Sequence, residues 1–241
     1  MPINSARIYM PLFNKHTLLL LIVVWLLPLS AMAERPFVEE GCVTSLQLQG
    51  GNNAVWGWYG AVGLSAQYSL PQYFAVRGGV QYNITNRMVA DVRPAFIYHF
   101  ASGRLHVEAL CHYTMQHSAQ SLCLGGGVGF TSKYIWCNAG YYYRTLGVQS
   151  LALAEPFNIY YELGVNCLPD VESWDLAVAV TNSGMYDLER HYQPSLQVDA
   201  CWHATSSLGL LCGARYKPAG MFNVSSDYYQ LSINAGIVYK W

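Results

Sequence analysis

Residues 228–241, YYQLSINAGIVYKW, decide the fold because two kinds of side chain alternate along them. One face is apolar or aromatic and consists of Tyr229, Leu231, Ile233, Ala235, Ile237, Tyr239 and Trp241. The other face is mostly polar or small and consists of Tyr228, Gln230, Ser232, Asn234, Gly236, Val238 and Lys240. A period of two residues is that of a β-strand. An apolar face opposite a polar one is what a membrane-barrel strand presents to lipid and to lumen.

The same alternation recurs towards the N-terminus, with turn residues between the segments. It predicts an all-β fold, a closed antiparallel transmembrane β-barrel of about twelve strands. The sheet must close because an open edge in lipid would leave backbone groups without partners, at several kcal/mol each. The predicted strands are 43–50, 55–69, 73–84, 88–100, 104–115, 121–131, 133–145, 156–168, 173–182, 194–204, 206–217 and 227–241.

Composition agrees with a membrane barrel. Charged residues make up 11% of the chain, against about 25% in ordinary soluble domains, and tyrosine occurs 19 times. A very apolar secreted sandwich is the alternative, but its outer face would carry more Lys and Glu than this chain has. The net charge of −1 and the absence of a basic patch argue against nucleic acid as a partner.

The first 33 residues have the order of a secretory signal peptide. A weakly basic start precedes an apolar run over 17–29, and Ala31-Met32-Ala33 matches a small-x-small cleavage site. The run is shorter than the roughly 20 residues that a spanning helix needs. We therefore predict a signal peptide over 1–33 and a barrel domain over 34–241.

Loop lengths predict the orientation. The connections after even-numbered strands are short, whereas the stretches 146–155, 183–193 and 218–226 are longer. Outer-membrane barrels have short periplasmic turns and longer outer loops. An even strand count then puts both chain ends on the periplasmic side.

Two further features have simple structural interpretations. The seven cysteines are odd in number and none are spaced as C-x-x-C, so we expect mostly unpaired side chains and no metal site or cofactor. The glycines of 125–129 lie in a predicted strand, not before a helix, so they indicate a tight bend or close packing instead of a phosphate-binding loop.

Inward-facing charges are the one constellation that could carry a function. The alternation points a set of them into the lumen: Arg77, Asp91, Arg93, Arg104, His106, Glu108, Glu162, Asp199 and Arg215. Of these, Arg77, Arg93 and Glu108 are expected to meet near mid-height on three adjacent strands. They could form a selectivity site in a pore, or a salt-bridge network that fills a narrow barrel, since unpaired buried charges are costly.

With these residues in view, the whole chain after residue 33 resembles bacterial outer-membrane β-barrel proteins, and its tyrosine-rich style resembles the small barrels of Bacteroidetes. The C-terminal segment is similar to the signal read by the barrel-assembly machinery, with Ile233, Ile237, Tyr239 and Trp241 on one face. Phe is the usual last residue of that signal, so Trp is a departure that keeps an aromatic side chain. The resemblance implies a Gram-negative outer membrane as location, and the lipid bilayer, lipopolysaccharide and the assembly machinery as partners.

Three functions remain open from the sequence. The first is a small channel or solute-transport barrel with a charged lumen. The second is a filled-lumen structural or partner-binding barrel that displays its outer loops. The third is a lipid-modifying enzyme, which we do not expect because the strand histidines face inward and no catalytic Ser–His pair faces the lipid. Those histidines are His99, His106, His112 and His203.

Overall fold

The computed structural model describes residues 41–53, 57–70, 73–117, 119–148, 151–184, 186, 188, 194–218 and 230–241. The predicted signal peptide over 1–33 lies outside these residues. The described part of the chain forms twelve β-strands. They are β1 Gly41–Asn53, β2 Gly57–Ser69, β3 Phe74–Asn83, β4 Arg87–Phe100, β5 Gly103–Gln116, β6 Ala119–Thr131, β7 Ile135–Val148, β8 Leu151–Asn166, β9 Trp174–Thr181, β10 Ser195–His203, β11 Leu208–Lys217 and β12 Gln230–Lys240.

The strands close into one antiparallel barrel in which each pairs with its neighbours in sequence. The closing pair is β1 with β12, in a continuous register from Val43↔Lys240 to Asn53↔Gln230. Closure leaves no free sheet edge at this junction, as a sheet in lipid requires. The predicted fold class and the strand number are confirmed.

The two faces of the wall differ as the alternation predicted. On β12, Leu231, Ile233 and Ile237 are exposed on the outside, whereas Ser232 and Val238 are buried inside. The exterior is therefore apolar along the strands, which suits contact with acyl chains.

Aromatic side chains mark both ends of this apolar surface. We call the end that holds Gly41 and Trp241 the terminal end, and the opposite end the loop end. Trp174 and Trp202 lie side by side near the terminal end, with ring centroids 6.4 Å apart. Exposed Tyr82 and Tyr216 lie near the loop end. Rings at both boundaries are typical of the aromatic girdles of membrane barrels.

The predicted long loop over 146–155 is wrong. β7 continues to Val148 and β8 begins at Leu151, so the described residues 146–148 and 151–155 are paired strand residues. The register shifts between Tyr142 and Arg144, opposite Pro156. Proline has no N–H to give to a ladder, so strands accept it at a bulge of this kind.

The glycine run in β6 allows close packing, as predicted. A Cβ on Gly127 would meet the Tyr160 hydroxyl, and one on Gly129 would meet the His106 imidazole. Neighbouring inward side chains thus use the space that these glycines leave.

All seven cysteines are free thiols in this structure. Within the described residues, no helix is both long enough and apolar enough to cross a membrane.

Candidate functional site in the barrel interior

A buried ion network crosses β3, β4 and β5 at mid-height. We call Arg77, Asp91, Arg93 and Glu108 the central cluster. Arg93 Nε lies 3.0 Å from Asp91 Oδ1, and Arg93 Nη1 lies 3.8 Å from Glu108 Oε1. Arg77 Nη2 is 4.0 Å from Glu108 Oε2. The cluster holds two guanidinium and two carboxylate groups, so its formal charges cancel.

Strand register explains why these side chains meet. Arg77 lies opposite Arg93 across the β3–β4 pair, and Asp91 lies opposite His112 across the β4–β5 pair. All of them occupy inward positions because the side-chain period of a strand is two. The expected meeting of Arg77, Arg93 and Glu108 is thus what the structure has.

Three further side chains add polar contacts to the carboxylates. Asn138 Nδ2 and the Tyr160 hydroxyl donate to Glu108 Oε1 at 2.7 and 3.0 Å. His112 Nδ1 lies 3.0 Å from Asp91 Oδ2. Hydrogen bonds to a buried carboxylate offset the cost of removing it from water.

His106 and Arg104 lie on β5, on the terminal-end side of Glu108. His106 is buried against Gly129, whereas Arg104 is half-buried and lines the barrel mouth at the terminal end. The predicted residue Arg104 is therefore separated along β5 from the central cluster.

The other predicted charges occupy separate positions in the wall. Glu162 accepts a hydrogen bond from Trp136 Nε1 at 2.6 Å, and Asp199 accepts one from Gln197 Nε2 at 2.6 Å. Arg215 Nε donates to the Ser195 hydroxyl at 2.8 Å. Each of these contacts is local to its own strand or to adjacent strands.

The main chain after β9 turns into the lumen. We call Asn182, Ser183, Gly184, Tyr186 and Leu188 the inner segment. Ser183 and Leu188 form an isolated antiparallel bridge, and all five residues are buried. The prediction that 183–193 is an outer loop is therefore wrong for the described residues 183, 184, 186 and 188. Residues 185, 187 and 189–193 lie outside the described part.

Three arginines from two strands, β4 and β7, hold the inner segment by its carbonyl groups. The donors are Arg87 to Tyr186 O at 3.4 Å, Arg93 to Gly184 O at 3.3 Å and Arg144 to Leu188 O at 2.7 Å. Charged donors make stronger hydrogen bonds than neutral ones.

The inner segment also reaches β2, across the lumen from β9. A Cβ on Gly63 would lie 2.9 Å from the Tyr186 ring, so Gly63 leaves the room that the ring fills. Sequence reasoning did not identify Gly63, Arg87 or Arg144. The available signal was that Arg87 and Arg144 are inward arginines close to the loop end of their strands.

A cavity of about 940 Å³ opens at the terminal end. Its lining is mostly polar and includes Arg104, Asn166, Asp175, His203 and Lys240. His203 Nε2 and Asp175 Oδ2 are 3.0 Å apart.

Lys133 and Asp170 form an exposed ion pair at the rim of this cavity. The hydrogen bond to the Asp170 carboxylate and its negative charge raise the pKa of Lys133.

The strand histidines face inward, as predicted: His106 and His112 are buried, and His99 and His203 are half-buried. Among the described residues, no group of three or more His, Cys, Asp or Glu side chains is placed to hold a metal ion.

Comparison with known proteins supports the fold. No protein-family model matches the chain, and no curated protein shows significant sequence similarity to it. The solved structure of the NanC porin is similar, with a TM-score of 0.53 and 10% identity over 81% of this chain and 100% of that one. The translocator domain of the autotransporter NalP from Neisseria meningitidis has a TM-score of 0.51 and 11% identity, over 86% of this chain and 90% of that one. At this identity the likeness shows the fold, which is that of bacterial outer-membrane β-barrels. The closed wall and its apolar exterior agree with a location in the bacterial outer membrane.

Proposed function

We propose that the protein is a transport barrel for small solutes, with a charged lumen that the inner segment constricts. The observation that carries this proposal is the way the inner segment is held. Three arginines bind three of its main-chain carbonyls. Beyond its main-chain connection to β9, the inner segment is held against the wall by hydrogen bonds and side-chain packing.

The charges of the wall support the same proposal. The central cluster is neutral before the inner segment is counted, so the segment is not needed to compensate a buried charge. The inner segment narrows the lumen at a level between the loop end and the polar cavity of the terminal end. Such a constriction is consistent with a path whose width depends on the position of one short segment.

A filled-lumen barrel that displays its loops is the second candidate. It is favoured by burial at mid-height, where Arg93 is 0% exposed and Asp91 1% exposed. A buried ion network whose charges cancel can fill a narrow barrel and stabilise one arrangement. The two candidates differ in whether the lumen conducts when the inner segment is loosened.

Single-channel recording in planar bilayers tests the proposal with the purified full-length protein. Arg144→Gln removes the 2.7 Å hydrogen bond to Leu188 O. We expect brief or small openings in the wild type and longer or larger openings in Arg144→Gln. Gly50→Ala, at an exposed position of β1 where a Cβ meets nothing within 4 Å, is the control and should match the wild type. If neither the wild type nor Arg144→Gln carries current above the lipid background, the channel is rejected and the filled barrel is favoured.

A further inference from the structure

Three inward side chains on β4 and β5 form a hydrogen-bonded series that runs from the central cluster towards the loop end. His112 Nδ1 lies 3.0 Å from Asp91 Oδ2, and His112 Nε2 lies 3.3 Å from the Thr114 hydroxyl. Both imidazole nitrogens are thus used, one towards a carboxylate and the other towards a hydroxyl. A hydroxyl beside an imidazole that a third group orients is the general signature of an activated nucleophile.

Strand pairing holds the three groups in this order. Asp91 and His112 are register partners across β4 and β5. Thr114 lies two residues further along β5, on the same inner face, because the side-chain period of a strand is two. The series is therefore built on two paired strands, which position side chains more precisely than loops do.

The contacts of Asp91 decide which nitrogen of the imidazole carries the hydrogen. Arg93 Nε donates to Asp91 Oδ1 at 3.0 Å, and Arg93 Nη2 donates to Asp91 Oδ2 at 3.3 Å. A carboxylate paired with a guanidinium only accepts hydrogen bonds, so neutral His112 carries its hydrogen on Nδ1. Nε2 then has the lone pair that accepts the Thr114 O–H. In this arrangement an imidazole can take the proton of an attacking hydroxyl.

Thr114 is the accessible member of the series. Asp91 and His112 are 1% and 3% exposed, whereas Thr114 is half-buried. It lies close to the loop end of β5, which ends at Gln116. The hydroxyl therefore faces the lumen, while the imidazole and its carboxylate are shielded from water.

Two neighbours of Thr114 suit an acyl group. Val89 on β4 and Ser121 on β6 are its register partners, and both point inward. Directly opposed side chains of antiparallel strands have Cβ atoms about 4.5–5.5 Å apart. The Ser121 hydroxyl is thus close enough to donate a hydrogen bond to an oxyanion formed at Thr114, and Val89 offers an apolar contact for a short acyl chain.

From this geometry we propose that Thr114 is a nucleophile for small esters that enter the lumen, with His112 as its general base. Thr114 Oγ1 attacks the ester carbonyl while His112 Nε2 takes its proton. The ester C–O bond then breaks, and His112 gives the proton to the leaving alkoxide, which departs as an alcohol. Water, activated by the same imidazole, hydrolyses the acyl-threonine, releases a carboxylic acid and restores the hydroxyl. The activity is separate from transport and does not require that the barrel conducts.

Hydrolysis of p-nitrophenyl acetate by the full-length protein in detergent tests this activity. Thr114→Val replaces the hydroxyl by a methyl group of similar size and should lower the rate several-fold, to the background of detergent alone. Thr114→Ser keeps a hydroxyl and should retain most of the rate. Thr145→Val removes an exposed outward hydroxyl on β7 and should match the wild type. Heat-dependent gel mobility first shows that each variant is folded.

Labelling with a small alkyl fluorophosphonate, which reacts with activated hydroxyls, locates the nucleophile by mass spectrometry. We expect label on Thr114 several-fold above that on Thr145 in the wild type, and its loss from Thr114 in His112→Gln. Label on Thr114 no greater than on Thr145 would overturn the proposal. Hydrolysis by folded Thr114→Val at the wild-type rate would overturn it as well.

Discussion

Arg93 and Asp91 lie two residues apart on the inner face of β4, and the guanidinium Nε donates to the carboxylate Oδ1 at 3.0 Å while both side chains are fully buried. The pair is possible because residues i and i+2 of a strand share a face. Glu108 on the next strand adds the second carboxylate, so that no member of the central cluster is left as an uncompensated charge.

Removing one carboxylate from the central cluster is predicted to destabilise the barrel strongly. Asp91→Asn leaves Arg93 with a reduced set of partners in a buried site, and breaking such a pair costs about 3–5 kcal/mol. The free energy of unfolding in urea, measured on protein in lipid vesicles, should fall by that order. Lys133→Gln breaks an exposed pair and should leave the unfolding curve unchanged. Equal curves for Asp91→Asn and the wild type would show that the network contributes nothing to stability.

Gly129 is predicted to be essential for packing of β5 against β6. A methyl group there would meet the His106 imidazole and the carbonyl of Cys137, and a backbone carbonyl cannot move aside cheaply. Gly129→Ala should therefore lower the folded fraction several-fold, read from the shift in gel mobility on heating. Gly50→Ala, where a Cβ meets nothing within 4 Å, should fold like the wild type, and equal folding of both variants would refute the packing argument.

The C-terminal aromatic residue is predicted to direct assembly. Trp241 is exposed at the terminal end, and its ring lies 5.4 Å from that of Tyr239 on the same outer face. We expect Trp241→Ser to lower the amount of protein assembled in the outer membrane of a Gram-negative host several-fold, and Trp241→Phe to preserve it. Trp58→Ser removes another exposed tryptophan, on β2, and should have little effect. Normal assembly of Trp241→Ser would remove the basis for an assembly signal.

Much of the fold could be predicted from the sequence because successive side chains of a barrel strand face lipid and lumen in turn. Their apolar and polar character therefore alternates along the strand. The alternation over 228–241 predicted which side chains of β12 face outward, and the described residues agree. The meeting of Arg77, Arg93 and Glu108 followed as well, since strand order and short turns fix the register of adjacent strands.

The inner segment could not be predicted in the same way because its position depends on contacts distant in sequence. Tyr186 fills space left by Gly63, and Leu188 O accepts from Arg144, and neither contact leaves a periodic pattern. The strand pairing of 146–148 with 151–153 was missed for a local reason. Pro156 indicates the end of a strand, but the strands continue past the bulge at this position.

Displacement of Tyr186 tests the central claim, a transport barrel constricted by the inner segment, most directly. In Gly63→Val the new side chain takes the place of the Tyr186 ring, and Tyr186→Ala removes the ring itself. All four proteins are first shown to fold by heat-dependent gel mobility. Both variants should then raise single-channel conductance in planar bilayers clearly above that of the wild type. Gly50→Val is the control and should leave the conductance unchanged. If Gly63→Val and Tyr186→Ala both fold and neither carries more current than the lipid background, the inner segment does not constrict a path and the account is contradicted.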